Sequence, residues 1–389
     1  MGPGPAPAAP ISLCLDTEDE AAAIAGLASA AASIQPTLVL LFVSPAPRLQ
    51  AIADGLFPSL PKDCRLIACS SMGEFHHSGY MHGRLVAVMF PQSSFRVSVV
   101  QLSDVSRLPV TEWMDRLRRA ATDFARTPGR DSFGILLTES DAGQEEVVSA
   151  TLDASLPWLN VVGGTVGDMG DSSAACLTLD TRLMRDSVLL CMIETDFAVR
   201  EVVFSHFTPT AQRMVVTATS DSHRTIMRLN DEPAAEEYAR LIGVPRAALS
   251  PVLFARHPLL LHIADQYHVR AIAGAGADGG LELMSAVEPG SLLTLGEASD
   301  DIFDDMDAAL SDLPQLPELV LGFDCILRRL AVEKSRHAPE LAELFNRYRI
   351  VGFNTLGEQH GGMHVNQTFV GLAFMPAGGN DTDGDDRAA

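Results

Sequence analysis

The segment Gly352–Phe374, GFNTLGEQHGGMHVNQTFVGLAF, holds the side chains best equipped for chemistry in this chain. His360, His364, Asn366 and Gln367 stand between apolar, strand-like runs. Polar groups in such a setting are costly to bury unless they are hydrogen-bonded. They therefore either knit the loop to its domain or face a pocket. The spacing predicts a strand, a turn through Gly357–Gly362, and a returning strand that carries His364, Asn366 and Gln367. His360 and His364 are four apart, but a Gly-rich loop between them does not give the metal spacing of a helix.

Four further clusters bear on chemistry. ACSSMGEF, Ala68–Phe75, is a small-residue loop leaving a strand, with Cys69 and Glu74 in it. Its backbone N–H groups could receive an anion, although a strand-ending turn with a structural Cys fits the local sequence better. In VVGGTVGD, Gly163 and Gly164 permit close backbone approach to a ligand or another loop, and a turn needing positive φ explains them equally. AGAGADGG contains Gly274, Gly276 and Gly279 in G-x-G-x-x-G spacing. The dinucleotide reading requires a helix to follow, whereas LELMSAV reads as a strand after a hairpin turn. In FDCILRRLAV, helical spacing would bring Asp324 and Cys325 near Arg328 or Arg329. A nucleophilic Cys needs a neighbouring His or another cause of a depressed pKa, so a buried Cys beside an Arg–Asp pair is the preferred reading. His76, His77 and His82 read as a surface loop. No HExxH, Cys/His zinc or EF-hand pattern occurs.

Taken in order, these motifs resemble the FIST family of signal-transduction proteins. The resemblance runs from about Pro36 to Phe374. It is carried by Cys69–Glu74, Gly163–Asp168, LNDEPAAEEYARLIG, HVRAI, FDCILRR, GFNTLGE and Asn366–Thr368. It implies a sensory module for small ligands, not an enzyme. The GMHVNQTF form resembles the haem-binding, nitric-oxide-sensing subset called NosP, which reports to histidine kinases. The resemblance thus implies haem as cofactor, a diatomic ligand and a histidine kinase partner. A haem sensor needs an axial donor, an apolar wall and a free or displaceable sixth position. His364 is the first candidate metal ligand, with His360 and His268 as alternatives. Thiolate ligation by Cys69 or Cys325 is less favoured. Asn366, Glu74, Gly163 and Gly164 complete the implied binding set. The alternative is a haem-free module for an amino acid or similar metabolite.

The elements that must position these residues alternate between helix-like and strand-like stretches. They imply a mixed α/β fold with largely antiparallel sheets flanked by helices. At 389 residues the chain suits two domains, and composition changes near Arg224. The expected division is a tail at 1–10, domains at 11–223 and 224–375, and an acidic tail at 376–389. No repeat of fixed period is visible. The net charge of −22 disfavours nucleic acid, whose affinity comes from Lys and Arg, and an anionic membrane surface. Six scattered Cys without a C-x-x-C pair fit reduced thiols in a cytosol. The N-terminus lacks secretory features, and no apolar run nears the roughly 20 residues that span a bilayer. A cytoplasmic location without membrane insertion is expected.

Overall fold

A computed structural model describes residues 7–139, 143–168, 175–263, 266–299, 302–333 and 338–376. The two expected tails fall outside these residues apart from 7–10 and 376. The chain folds as three related units, the third interrupted by an inserted sheet. In the first unit, β1 (Ile11–Asp16) leads into α1 (Glu20–Ile34), β2 (Pro36–Val43), α2 (Leu49–Leu56) and β3 (Arg65–Ser70). A short hairpin of β4 (Glu74–His76) and β5 (Gly79–Met81) and then β6 (Arg84–Pro91) complete it. The run PTLVLLFV is nearly all apolar because β2 lies mid-sheet, covered on both faces. The α1 cap is Asp19, whose carboxylate accepts the Ala22 N–H at 2.9 Å. Just before it, Asp16 ends β1, a strand that local pattern does not reveal.

The second unit repeats the order. It runs β7 (Phe95–Ser103), α3 (Val110–Phe124), β8 (Asp131–Glu139), α4 (Glu145–Ser155) and β9 (Asn160–Val166). The hairpin β10 (Leu177–Leu179) and β11 (Arg182–Met184) and then β12 (Ser187–Thr195) follow. The turn at Pro91–Ser94 carries the chain from the first sheet to the second and closes no hairpin, since β6 and β7 lie in different sheets.

The third unit opens with β13 (Ala198–Ser205). The inserted sheet comes next, with β14 (Phe207–Thr219), β15 (Thr225–Leu229), β16 (Glu232–Pro233), α5 (Ala234–Leu241) and α6 (Pro251–Arg256). It continues through β17 (Leu259–Ile263), β18 (Gln266–Arg270), β19 (Ile272–Ala275), β20 (Leu281–Leu283) and β21 (Leu292–Ala298). Position 224 falls between the paired strands β14 and β15. The unit then resumes with α7 (Ile302–Ser311), β22 (Leu319–Cys325), α8 (Ile326–Glu333), α9 (Ala338–Arg347) and β23 (Ile350–Thr355). Its hairpin is β24 (Glu358–His360) and β25 (Met363–Val365), and β26 (Thr368–Met375) ends it. Asp324 and Cys325 therefore end a strand and are not helical.

Each unit builds a six-stranded sheet with the same logic. The orders are β1-β6-β2-β3-β10-β11, β7-β12-β8-β9-β24-β25 and β13-β26-β22-β23-β4-β5. In each, two central strands run parallel, the next strand on one side runs antiparallel to them, and the outermost strand on that side pairs antiparallel with that one. The last two places are filled by a hairpin from another unit. The first unit lends its hairpin to the third, the third to the second, and the second to the first. Each hairpin tip meets a helix of its host. Gly79 lies against Ala342 of α9 and Gly362 against Asp153 of α4. The Thr181 carbonyl accepts from Gln50 Nε2 of α2 at 2.9 Å. A related tetrapeptide closes each parallel pair: Ser71-Met72-Gly73-Glu74, Thr165-Val166-Gly167-Asp168 and Thr355-Leu356-Gly357-Glu358. Glu74 accepts from Ser71 Oγ, and Glu358 accepts from Thr355 Oγ1 in the same way. So the chain does contain a repeat, hidden by unequal spacing and by the insertion.

The inner faces of the three sheets share one apolar core, with Phe42 stacked on Phe353 at 4.6 Å between ring centroids. The close pairing of strands depends on glycine at Gly163. A Cβ there would lie 1.9 Å from the Leu136 carbonyl oxygen on the neighbouring strand. Gly163→Ala is expected to cost about 1–3 kcal/mol through overpacking. Urea denaturation would read this as a lower midpoint, and an unchanged midpoint would show that the strand pair relaxes freely.

Candidate functional site

A groove of about 320 Å³ opens where the inserted sheet meets the third unit, within the usual range for small-ligand pockets. One wall is Tyr267, His268 and Val269 of β18. The other is Val203, Phe204 and Ser205 of β13, with His360, Val365 and Thr368 from β24, β25 and β26. His360 owes its placement to the hairpin turn. Gly361 and Gly362 both take positive φ, 56° and 73°, as a two-residue hairpin turn requires. The Gly-rich stretch read as a loop is therefore a paired hairpin, with Gln359 opposite His364 and His360 opposite Met363. Asn366 and Gln367 lie in the bend before β26.

His360 Nδ1 lies 2.5 Å from Glu201 Oε1 on β13. Glu201 is held in turn by the Asn160 side-chain amide, which donates to Oε2 at 2.9 Å. A carboxylate on Nδ1 fixes the imidazole so that Nε2 carries the free lone pair, the arrangement that orients metal-binding histidines. His268 is buried. Burial, then Arg270, His360 and His262 nearby, push its pKa below the ordinary histidine value, so it is held neutral. Among the described residues, no group of three or more His, Cys, Asp or Glu could hold a metal ion. A ligand-borne metal needs fewer protein donors, one axial imidazole being enough for haem.

Behind the groove lies a buried polar cluster that docks the inserted sheet. Arg224 donates through Nη2 to Glu145 at 2.7 Å and to Glu146 at 2.8 Å, both in the first turn of α4. It also donates through Nη1 to the Met284 carbonyl at 3.0 Å. Ser285 Oγ donates to Asn366 Oδ1 at 2.5 Å. His364 sits within this cluster and not in the groove. Its Nδ1 is 3.4 Å from Gln359 Nε2 and its Nε2 is 3.5 Å from Asn366 Nδ2. The ring is 2% exposed and packs on Gly357, where a Cβ would come within 2.3 Å of it. Burial keeps it neutral by lowering its pKa. With both nitrogens facing amides, His364 offers no open donor, and Asn366 is engaged with Ser285.

The other expected residues also lie away from the groove. Cys69 is fully buried and burial pushes its thiol well up, as it does for Cys325. Neither is a reactive thiolate. Glu74 is buried in the hydroxyl network of Ser71 and Ser44. Gly163 and Gly164 pair with β24 and serve close strand approach. Of the candidates from sequence, the structure brings His268 and His360 together. Sequence reading missed Glu201, 159 residues from His360, because a Glu on an edge strand carries no local signal. It also missed Phe204 and Tyr267.

No helix among the described residues is long and apolar enough to cross a membrane. No curated protein matches the sequence. Residues 37–232 match the FIST N domain family and residues 234–360 match the FIST C domain family. The two matches meet inside the inserted sheet, so both contribute to the groove and its docking cluster. The chain therefore belongs to the FIST family, whose domains are small-ligand sensing modules of signalling proteins.

Proposed function

We propose that the chain is a haem-binding sensor whose cofactor would lie in the groove between β18 and the β24–β25 hairpin, with His360 as the side chain that would hold the iron. The reading rests on the His360–Glu201 pair, which leaves Nε2 as the available donor beside an apolar wall of Val203, Phe204 and Val365. His268 faces the same groove and is the second donor. Bound haem would supply an iron site for nitric oxide. An occupant touching both walls favours the apposed state, which is the differential affinity a sensor needs. The Arg224–Glu145–Glu146 contact would then transmit a change in docking to a surface read by a histidine kinase.

Haem titration followed by absorption spectroscopy tests the assignment. Wild-type protein should give a sharp Soret band that nitric oxide shifts. His360→Ala should weaken haem binding at least ten-fold and displace the band. Retention of the wild-type band and nitric oxide response in both His360→Ala and His268→Ala would sink the assignment.

A further inference from the structure

The inserted sheet meets the third unit at a second place, where α6 faces α8. Val252, Ala255 and Arg256 stand at i, i+3 and i+4 on α6. Leu327, Leu330 and Ala331 have the same spacing on α8, so each helix turns one stripe toward the other. The stripes do not close. Between them lies a cavity of about 230 Å³. Alanine at 255 and at 331, where larger side chains would fill it, leaves the space open. Both helices are held where they are. The Tyr238 hydroxyl donates to the His257 carbonyl at 2.7 Å, just past the end of α6. On α8, Arg328 is tied to Asp324 at 2.9 Å and Arg329 to Asn354 at 3.0 Å. Protein interiors keep few voids larger than a water molecule. This one is instead lipped by two exposed apolar side chains, Val252 at 52% and Leu330 at 37%, as binding pockets are.

We infer that this cavity binds a medium-length aliphatic carboxylate, with the chain between α6 and α8 and the head group on Arg256. The described lining is aliphatic or small apart from Arg256 and Ser299, and holds no aromatic ring. Such walls suit a flexible hydrocarbon chain, whose burial drives binding. The volume lies below the roughly 300–1,000 Å³ of drug-sized sites, which limits the chain length. Arg256 is the basic residue of the described lining, and no described acid lines the cavity. Its planar fork matches a carboxylate. With five donors it can hold one beside its other contacts. The site shares no lining residue with the groove between β18 and β13, so the inference does not depend on what that groove holds.

The test is isothermal titration calorimetry on the full-length protein with octanoate, octanol and octylammonium, which share one chain length. Wild type should bind one octanoate per chain, roughly five-fold more tightly than octanol. Ala255→Leu fills the cavity. It should weaken octanoate by about ten-fold while the ligand-free melting temperature holds or rises. Arg256→Gln should bring octanoate down to the affinity of octanol and leave octanol unchanged. Leu330→Asp changes an exposed lip residue and should weaken octanoate and octanol alike, which keeps the test open should Ala255→Leu not fold. Octanoate binding that survives both Ala255→Leu and Leu330→Asp places the chain elsewhere and overturns the inference. Equal binding of all three probes, or tightest binding of octylammonium, removes the carboxylate and overturns it too. So does the failure of every probe to bind wild type. If sedimentation then shows a dimer that Leu330→Asp dissociates, the cavity belongs to a second copy of the chain instead.

Discussion

Replacing Arg328 with alanine is expected to destabilise the fold by about 3–5 kcal/mol. Arg328 and Asp324 are both fully buried, and Arg328 Nη1 donates to the two Asp324 oxygens at 3.1 and 2.9 Å. The Tyr80 hydroxyl donates to the same carboxylate and accepts from Arg328 at 3.0 Å, which ties the first unit's hairpin to the third unit. The guanidinium also lies 4.5 Å from the centroid of Phe204, a wall of the groove. Removing it leaves a carboxylate in the core without a counter-charge. Urea denaturation should show the loss, and ligand affinity should fall with it as Phe204 loses support. The paired change Asp324→Leu with Arg328→Met should cost much less, because it removes both charges. A loss below about 1 kcal/mol for Arg328→Ala would contradict the pairing described.

The second large effect is a stability that falls with rising pH through two buried glutamates. Burial raises the Glu74 pKa from 4.5 to about 7, outweighing the hydrogen bonds from Ser71, Ser44 and the Arg84 N–H. Burial raises Glu358 well above its ordinary value too. The folded state keeps a proton that the unfolded state releases, so Glu74 favours folding below pH 4.5 and that contribution is lost by about pH 7. The gap is worth about 3 kcal/mol, at roughly 1.4 kcal/mol per pH unit. Glu358 acts in the same direction. Buried histidines act oppositely: His206 is lowered to about 3 by burial, so it stabilises increasingly as pH rises toward 6.5. The difference between wild type and Glu74→Gln isolates the carboxylate. Melting curves at pH 5 and pH 8 should show Glu74→Gln gaining on wild type at the higher pH, and equal shifts in both proteins would refute the assignment.

Sequence carried much of the fold where burial writes a plain pattern. The strand cores Leu38–Val43 and Ile135–Leu137 are continuous apolar runs, and α3 carries an apolar stripe of Trp113, Leu117 and Phe124, so each is legible in the sequence. β1 and β21 escaped notice, since ISLCLD and LLTLGEA are short and lie at sheet positions that only long-range pairing defines. The Gly361–Gly362 pair did announce a hairpin, yet flanking strands of three residues were too short to support that reading. His364 drew attention as a polar residue among apolar ones. The same property describes a structural histidine held by two amides, and sequence alone does not tell which neighbours surround it. His360 became distinct through Glu201, which depends on elements brought together by the fold.

The lending of hairpins around the three units sets the order in which the polypeptide can finish folding. The first unit's hairpin, residues 74–81, has its host strand at Ile350–Thr355. During synthesis the outer edge of β4 must wait unpaired until residues 350–355 have left the ribosome. β9 likewise waits for residues 358–360 to cover its edge. Such late, long-range closure makes for slow maturation and exposed sheet edges in the nascent protein, and it makes any truncation near the C-terminus a defect of two sheets at once.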